Sequence, residues 1–188
     1  MGVSGLERWC DEHAADAVNL AQLRTGTRVL IDGCGLCFFV LREVGARAQA
    51  GDYAALDRAF MALFLNLQQA GMIPEVYLDG PATRLKSDTI AHRVSERQRR
   101  LEPVQLACLD GAAVRAEELP KPMLMYEQLA CSAAAAGVRL VRCEGEADVD
   151  LAAACAAAED GLGVILAQDS DFLVFRGARY VRLSDLLV

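Results

Sequence analysis

Six carboxylic acids stand just after four apolar runs: Asp32 closes RVLID, Asp79 closes EVYLD, Glu144 and Glu146 follow VRLVRC, and Asp169 and Asp171 follow GVILAQ. If these runs are parallel strands of one open sheet, their carboxyl ends form the edge where such sheets bind ligands, and the six acids converge on one crevice. Clustered anions repel one another and lose hydration, so they persist together only where protons or cations neutralise them. Hard oxygen donors without histidine or cysteine suit Mg²⁺ or Mn²⁺. These ions keep several waters and bind through a few carboxylates together with the phosphate oxygens of a substrate. The chain holds only two histidines, His13 and His92, which leaves a histidine-based hydrolase poorly supported. A single strand-end Asp is most simply a turn former or a helix cap, but four such ends in one chain reverse that reading. Asp148 and Asp150 read as acids favouring a helix N-terminus and fall outside the predicted ligand set.

The elements that must position these acids alternate. Residues 6–23 show helical spacing of apolar positions, Arg28 to Asp32 reads as a buried strand, and Gly35 to Ala50 and Tyr53 to Ala70 are helical stretches broken at Gly51-Asp52. Glu75 to Asp79 is a second strand closed by Gly80-Pro81. A basic segment follows whose Arg, Lys, Glu and Gln favour a helix with much of its surface in water, and between Pro103 and Pro122 the pattern weakens to loop. Met123 to Ala136 and Ala147 to Glu159 are Ala-rich helices on either side of a third strand, Val138 to Cys143. Gly163 to Gln168 is the fourth strand, and Phe172 to Phe175 with Tyr180 to Leu183 add short extended pieces. Strands alternating with helices predict an α/β fold with a mostly parallel central sheet, helices on both faces, and one domain over the 188 residues.

The seven cysteines are scattered through apolar segments and are expected as free thiols in a reducing, intracellular setting. Cys34 and Cys37 have C-x-x-C spacing without a second pair or nearby histidines for zinc, so packing is expected of them ahead of redox work. No basic-then-apolar leader opens the sequence, and no uncharged stretch approaches the roughly 20 residues of a membrane span. The net charge of -7 disfavours a protein that coats nucleic acid. Its distribution is uneven: Arg84, Lys86, Arg93, Arg97, Arg99 and Arg100 face only Asp88 and Glu96 within the same segment.

At these residues the chain resembles the flap-endonuclease (XPG) family, through the MGVSGL opening, VLIDG, VYLDG, EGEAD and QDSDFLVF, in that order. The span from Gly51-Asp52-Tyr53 through Asp79-Gly80, the short stretch before the third strand, and the Asp169-Ser170-Asp171-Phe172 run look most like the family's asteroid branch. The resemblance implies a PIN-like fold and a nuclease that hydrolyses phosphodiester bonds in DNA or RNA with two Mg²⁺ or Mn²⁺ ions. Asp32, Asp79, Glu144, Glu146, Asp169 and Asp171 would hold those ions. It implies that Lys86 and Arg93 match basic residues of the family's arch helix, which approach the scissile phosphate, and that Gly2 matches an N-terminal glycine lying near the substrate. Arg84, Arg97 and Arg100 share the basic segment and are expected to meet nucleic acid: flapped, branched or single-stranded DNA, or RNA. The expected setting is the nucleus ahead of the cytoplasm, with no membrane partner.

The family's seventh metal-binding carboxylate and its helical duplex-binding module fall beyond the fourth strand and are not found here, which leaves room for a protein partner that supplies duplex binding. The main rival is a catalytically silent scaffold or RNA-associated regulator on the same fold. A haloacid-dehalogenase-type phosphatase is disfavoured because the second Asp of its D-x-D is Cys34 here. A dinucleotide fold is disfavoured because Gly33 and Gly35 are followed by Phe38 and sit beside an anionic Asp32.

Overall fold

A computed structural model describes residues 23–44, 51–81, 87–110, 121–158 and 161–187. Five strands, β1 (Arg28–Asp32), β2 (Ile73–Leu78), β3 (Arg139–Arg142), β4 (Gly163–Ala167) and β5 (Tyr180–Arg182), form one sheet in the order β3-β2-β1-β4-β5. Every neighbouring pair is parallel. The continuous apolar runs of β1 and β4 are explained by burial on both faces, which is the rule for parallel strands inside a layered fold.

Helices α1 (Gly33–Val44), α2 (Tyr53–Gln69) and α4 (Met125–Ala135) cover one face. Their core contains Leu36, Val40, Phe60, Phe64 and Leu129 packed on Val29, Ile31, Val76 and Leu166. Helix α5 (Ala147–Ala156) covers the other face, where Ala147, Leu151 and Cys155 meet Leu30, Tyr77, Ile165 and Ala167. The alternation of inward residues along each strand thus separates two cores, as a period of two requires. Asp52 caps α2 by accepting a hydrogen bond from the N–H of Ala55 at 3.0 Å.

Most expected elements are present to within a few residues, and two differ. Helix α3 (Ser87–Leu109) runs through Pro103 instead of yielding to loop there. A proline inside a helix removes one hydrogen bond and crowds the preceding turn at a cost of about 3 kcal/mol, but it does not stop a helix whose following residues favour it. Phe172 to Phe175 is not extended: Ser170–Val174 forms a 3₁₀ turn. The helix expected over residues 6–23 lies outside the described residues except for its last position. Helix α3 makes no extensive contact with another described element. Among the described residues no helix is long and apolar enough to cross a membrane.

Candidate active site

The β-strand register brings the acids to one edge. Asp32 lies beside Tyr77 of β2, Ile31 beside Leu166 of β4, and Leu78 beside Arg142 of β3, so residues 32, 79, 144–146 and 169–171 all leave the sheet at its carboxyl end. The order reverses at β1, whose neighbours lead to β2 and β3 on one side and to β4 and β5 on the other. Such a switch point opens the crevice that doubly wound sheets use for ligands.

Asp32 is the buried centre of this edge, only 9% exposed. Its Oδ1 accepts the N–H of Cys34 at 3.0 Å, and the N–H of Gly35 also donates to the carboxylate. A Cβ on Gly35 would collide with Oδ2 of Asp32, so the first turn of α1 reserves a cradle for this side chain. Burial pushes the Asp32 carboxyl up to about 6, the charges of Asp148 and Asp79 add to the rise, and the two backbone donors oppose it.

Asp79 follows β2 and accepts the N–H of Ala147 at 2.9 Å. Next to it the N–H of Gly80 donates to the carbonyl of Gly145 at 2.7 Å, and a Cβ on Gly80 would strike the carbonyl oxygen of Cys143. This close approach is possible only without a side chain, and it locks the end of β2 to the turn that precedes α5. Glu144 and Glu146 are exposed in that turn, with Glu146 at the N-cap of α5. Asp169 caps the 3₁₀ turn by accepting the N–H of Asp171 at 3.1 Å. Phe172, 1% exposed and stacked on Tyr180 with centroids 6.0 Å apart, pins that turn to the core.

Asp148, left outside the ligand set by sequence reasoning, belongs to this edge. It is half-buried and held above the usual carboxylate range, first by burial and then by the charges of Asp79, Asp169, Glu146 and Asp171. The signal that could have found it is its place two residues after Glu146, in the first turn of a helix docked on Asp79.

The edge therefore suits a divalent cation by its donor chemistry, which is oxygen only, and by the space kept for Asp32. A carboxylate has about four acceptor positions, so capping a backbone N–H and holding a cation are compatible. Among the described residues no three side chains of His, Cys, Asp or Glu close around a single point. Mg²⁺ bound through one or two carboxylates and its own waters does not require such a cage.

Cys34 and Cys143 border the edge. Burial pushes each thiol up to about 12, and the anionic neighbours Asp79 and Asp32 on Cys34, and Asp150 and Asp79 on Cys143, add to it, although the backbone N–H of Asp79 partly opposes this at Cys34. Burial raises Cys37 as well. A reactive redox cysteine needs the opposite shift, so the C-x-x-C pair packs as thiols, and Cys34, Cys37, Cys131, Cys143 and Cys155 are free. Arg93, Arg97 and Arg100 lie within α3. Gly2, Arg84 and Lys86 lie outside the described residues.

A five-stranded parallel sheet with helices on both faces and an acidic carboxyl edge is a PIN-like α/β fold. The catalytic core of Rad2 in complex with DNA substrate shares it, with a TM-score of 0.65 at 20% identity, covering 97% of this chain and 51% of that one. No family model matches the chain. In sequence it is 22% identical over 195 residues to flap endonuclease 1-B of Physcomitrium patens, covering 97% of this chain and 55% of the relative. It is 27% identical over 190 residues to the protein asteroid of Drosophila melanogaster, covering 100% of this chain and 21% of the relative. The chain thus spans about half the length of the flap endonuclease and about a fifth of asteroid. These matches bear out the resemblance to the flap-endonuclease (XPG) family, asteroid included.

Proposed function

We propose that this chain carries the catalytic core of a metal-dependent, structure-specific nuclease that hydrolyses phosphodiester bonds in nucleic acid. The observation that supports the reading is the strand register, which brings the positions of Asp32, Asp79, Glu144, Glu146, Asp169 and Asp171 to the carboxyl edge of the sheet, in a fold shared with the catalytic core of Rad2 in complex with DNA substrate.

Asp32, Asp79, Glu144, Glu146, Asp169 and Asp171 hold Mg²⁺ or Mn²⁺, two ions by family resemblance. When bound, these ions supply Lewis acidity and a water of lowered pKa. The chain contributes placement: Gly35 and Cys34 fix Asp32, Ala147 fixes Asp79, and the N–H of Asp171 fixes Asp169. The carboxylates repel phosphate, and cations held there would offset that repulsion. Lys86 and Arg93 stabilise charge growing on the phosphate, and Arg84, Arg97 and Arg100 track the strand, with Gly2 near the substrate. DNA is the expected substrate, flapped or single-stranded, with RNA as the alternative.

The test incubates purified protein with labelled flap, overhang and single-stranded substrates in Mg²⁺, Mn²⁺ or EDTA, beside Asp79→Ala and Asp169→Ala. Metal-dependent cleavage lost in both variants is expected. Cleavage in EDTA, or surviving both changes, rejects the reading. Tight nucleic-acid binding without any cleavage replaces it with the scaffold.

A further inference from the structure

We propose that Gln168 is a positioning residue of this edge, whose side-chain carbonyl accepts a hydrogen bond from a water in the hydration shell of the divalent cation. The proposal rests on the metal-dependent reading above. It begins from an unmet acceptor. Oε1 of Gln168 is buried and, among the described residues, receives no hydrogen bond. A buried carbonyl without a donor costs stability, so the few that proteins keep call for a reason. The strand before it, Gly163–Ala167, is buried throughout, and an apolar side chain at position 168 would extend that run without the cost.

Place supplies the reason. Gln168 stands between the last residue of β4 and Asp169, so it leaves the sheet at the same end as the acids. Its backbone N lies 3.7 Å from the point that a Cβ on Gly35 would occupy, and that same point falls against Oδ2 of Asp32. Gln168 and Asp32 thus flank the first turn of α1. Mg²⁺ keeps several waters when it binds through a few carboxylates, and each retained water needs acceptors nearby for its protons. Further carboxylates would accept them, but they would add to the repulsion within the edge. An amide carbonyl accepts without adding charge, and Gln168 offers one directly at the end of β4.

The test uses the free protein without nucleic acid. Mn²⁺ uptake by wild type, Gln168→Leu and Gln168→Glu is followed by electron paramagnetic resonance, and each protein is melted in EDTA. Gln168→Leu removes the acceptor at similar bulk and is expected to weaken Mn²⁺ binding by about tenfold. Without metal it is expected to melt no lower than wild type, since it removes an unpaired carbonyl. Gln168→Glu restores an acceptor and is expected to bind Mn²⁺ at least as tightly as wild type. Wild-type affinity in Gln168→Leu, weaker binding in Gln168→Glu, or a Gln168→Leu protein that melts lower in EDTA or fails to fold overturns the proposal while leaving the metal-dependent reading in place. If wild type takes up no Mn²⁺, both fall.

Discussion

Asp79 accepts the backbone N–H of Ala147 at 2.9 Å, so the acid that ends β2 also fixes the start of the helix that follows β3. One oxygen serves the fold while the charge serves the site, and two substitutions separate these duties. Asp79→Asn keeps an acceptor and loses the charge, and Asp79→Ala loses both. In EDTA the Asn variant is expected to melt at or above wild type and the Ala variant about 1 kcal/mol below it. Both are expected to lose metal-dependent cleavage by roughly 100-fold or more, read from cleavage time courses.

The pH dependence of the metal-free protein follows from Asp32. Its carboxyl, raised to about 6 by burial and by the charges of Asp148 and Asp79, binds its proton more tightly when folded than when unfolded. Its contribution is most favourable below the ordinary carboxylate value and declines as pH rises through the window up to about 6, because there the folded state holds more protons. In EDTA the protein is expected to be more stable near pH 5 than near pH 7 by about 1 kcal/mol from this group. Asp32→Asn is expected to flatten that slope in melts across the same range.

The cradle over Asp32 makes Gly35→Ala informative. The added methyl suits a helix but collides with the Asp32 carboxylate, which must swing away or push α1 aside. A loss of about 1–3 kcal/mol in stability is expected, together with weakened Mn²⁺ uptake. Unchanged uptake in a folded Gly35→Ala protein would show that the position of Asp32 does not matter to the cation.

A second acid, Glu75, separates stability from the site. It is 5% exposed on β2 and accepts from Arg28 at 2.7 and 3.1 Å and from Arg139 at 3.1 Å, tying β1, β2 and β3 together. The Arg28 guanidinium holds its carboxyl below the usual range, so its contribution is present above the ordinary value and is lost as pH falls through the lowered one. Glu75→Gln is expected to cost about 1–3 kcal/mol in denaturant melts and to leave the cleavage rate of the folded fraction unchanged.

The strand ends were legible in the sequence because parallel strands buried on both faces are written as unbroken apolar runs, and Asp32, Asp79 and Asp169 stand directly after them. Long-range contacts were not legible. Nothing near Gly80 announces that its Cα must pass the carbonyl of Cys143, since that contact exists only once β2 and β3 are paired. A local reason suffices to place Asp148 at the helix terminus, whereas its partial burial among other acids arises only once α5 docks on Asp79. In sequence the pattern weakens from Pro103, yet α3 continues through it to Leu109, and the aromatic residues of the Phe172 segment suit a strand as well as a pinned turn.

The central claim is that this edge gathers anions that a divalent cation relieves, and thermal melts in EDTA against roughly 10 mM Mg²⁺, without nucleic acid, test it most directly. For wild type, Mg²⁺ is expected to raise the midpoint by several degrees, about 2–4 °C for each kcal/mol of relief. Asp32→Asn and Asp169→Asn are expected to melt higher than wild type in EDTA and to lose most of the Mg²⁺ increment. A wild-type midpoint indifferent to Mg²⁺, with both neutralised variants melting lower in EDTA, would contradict the account.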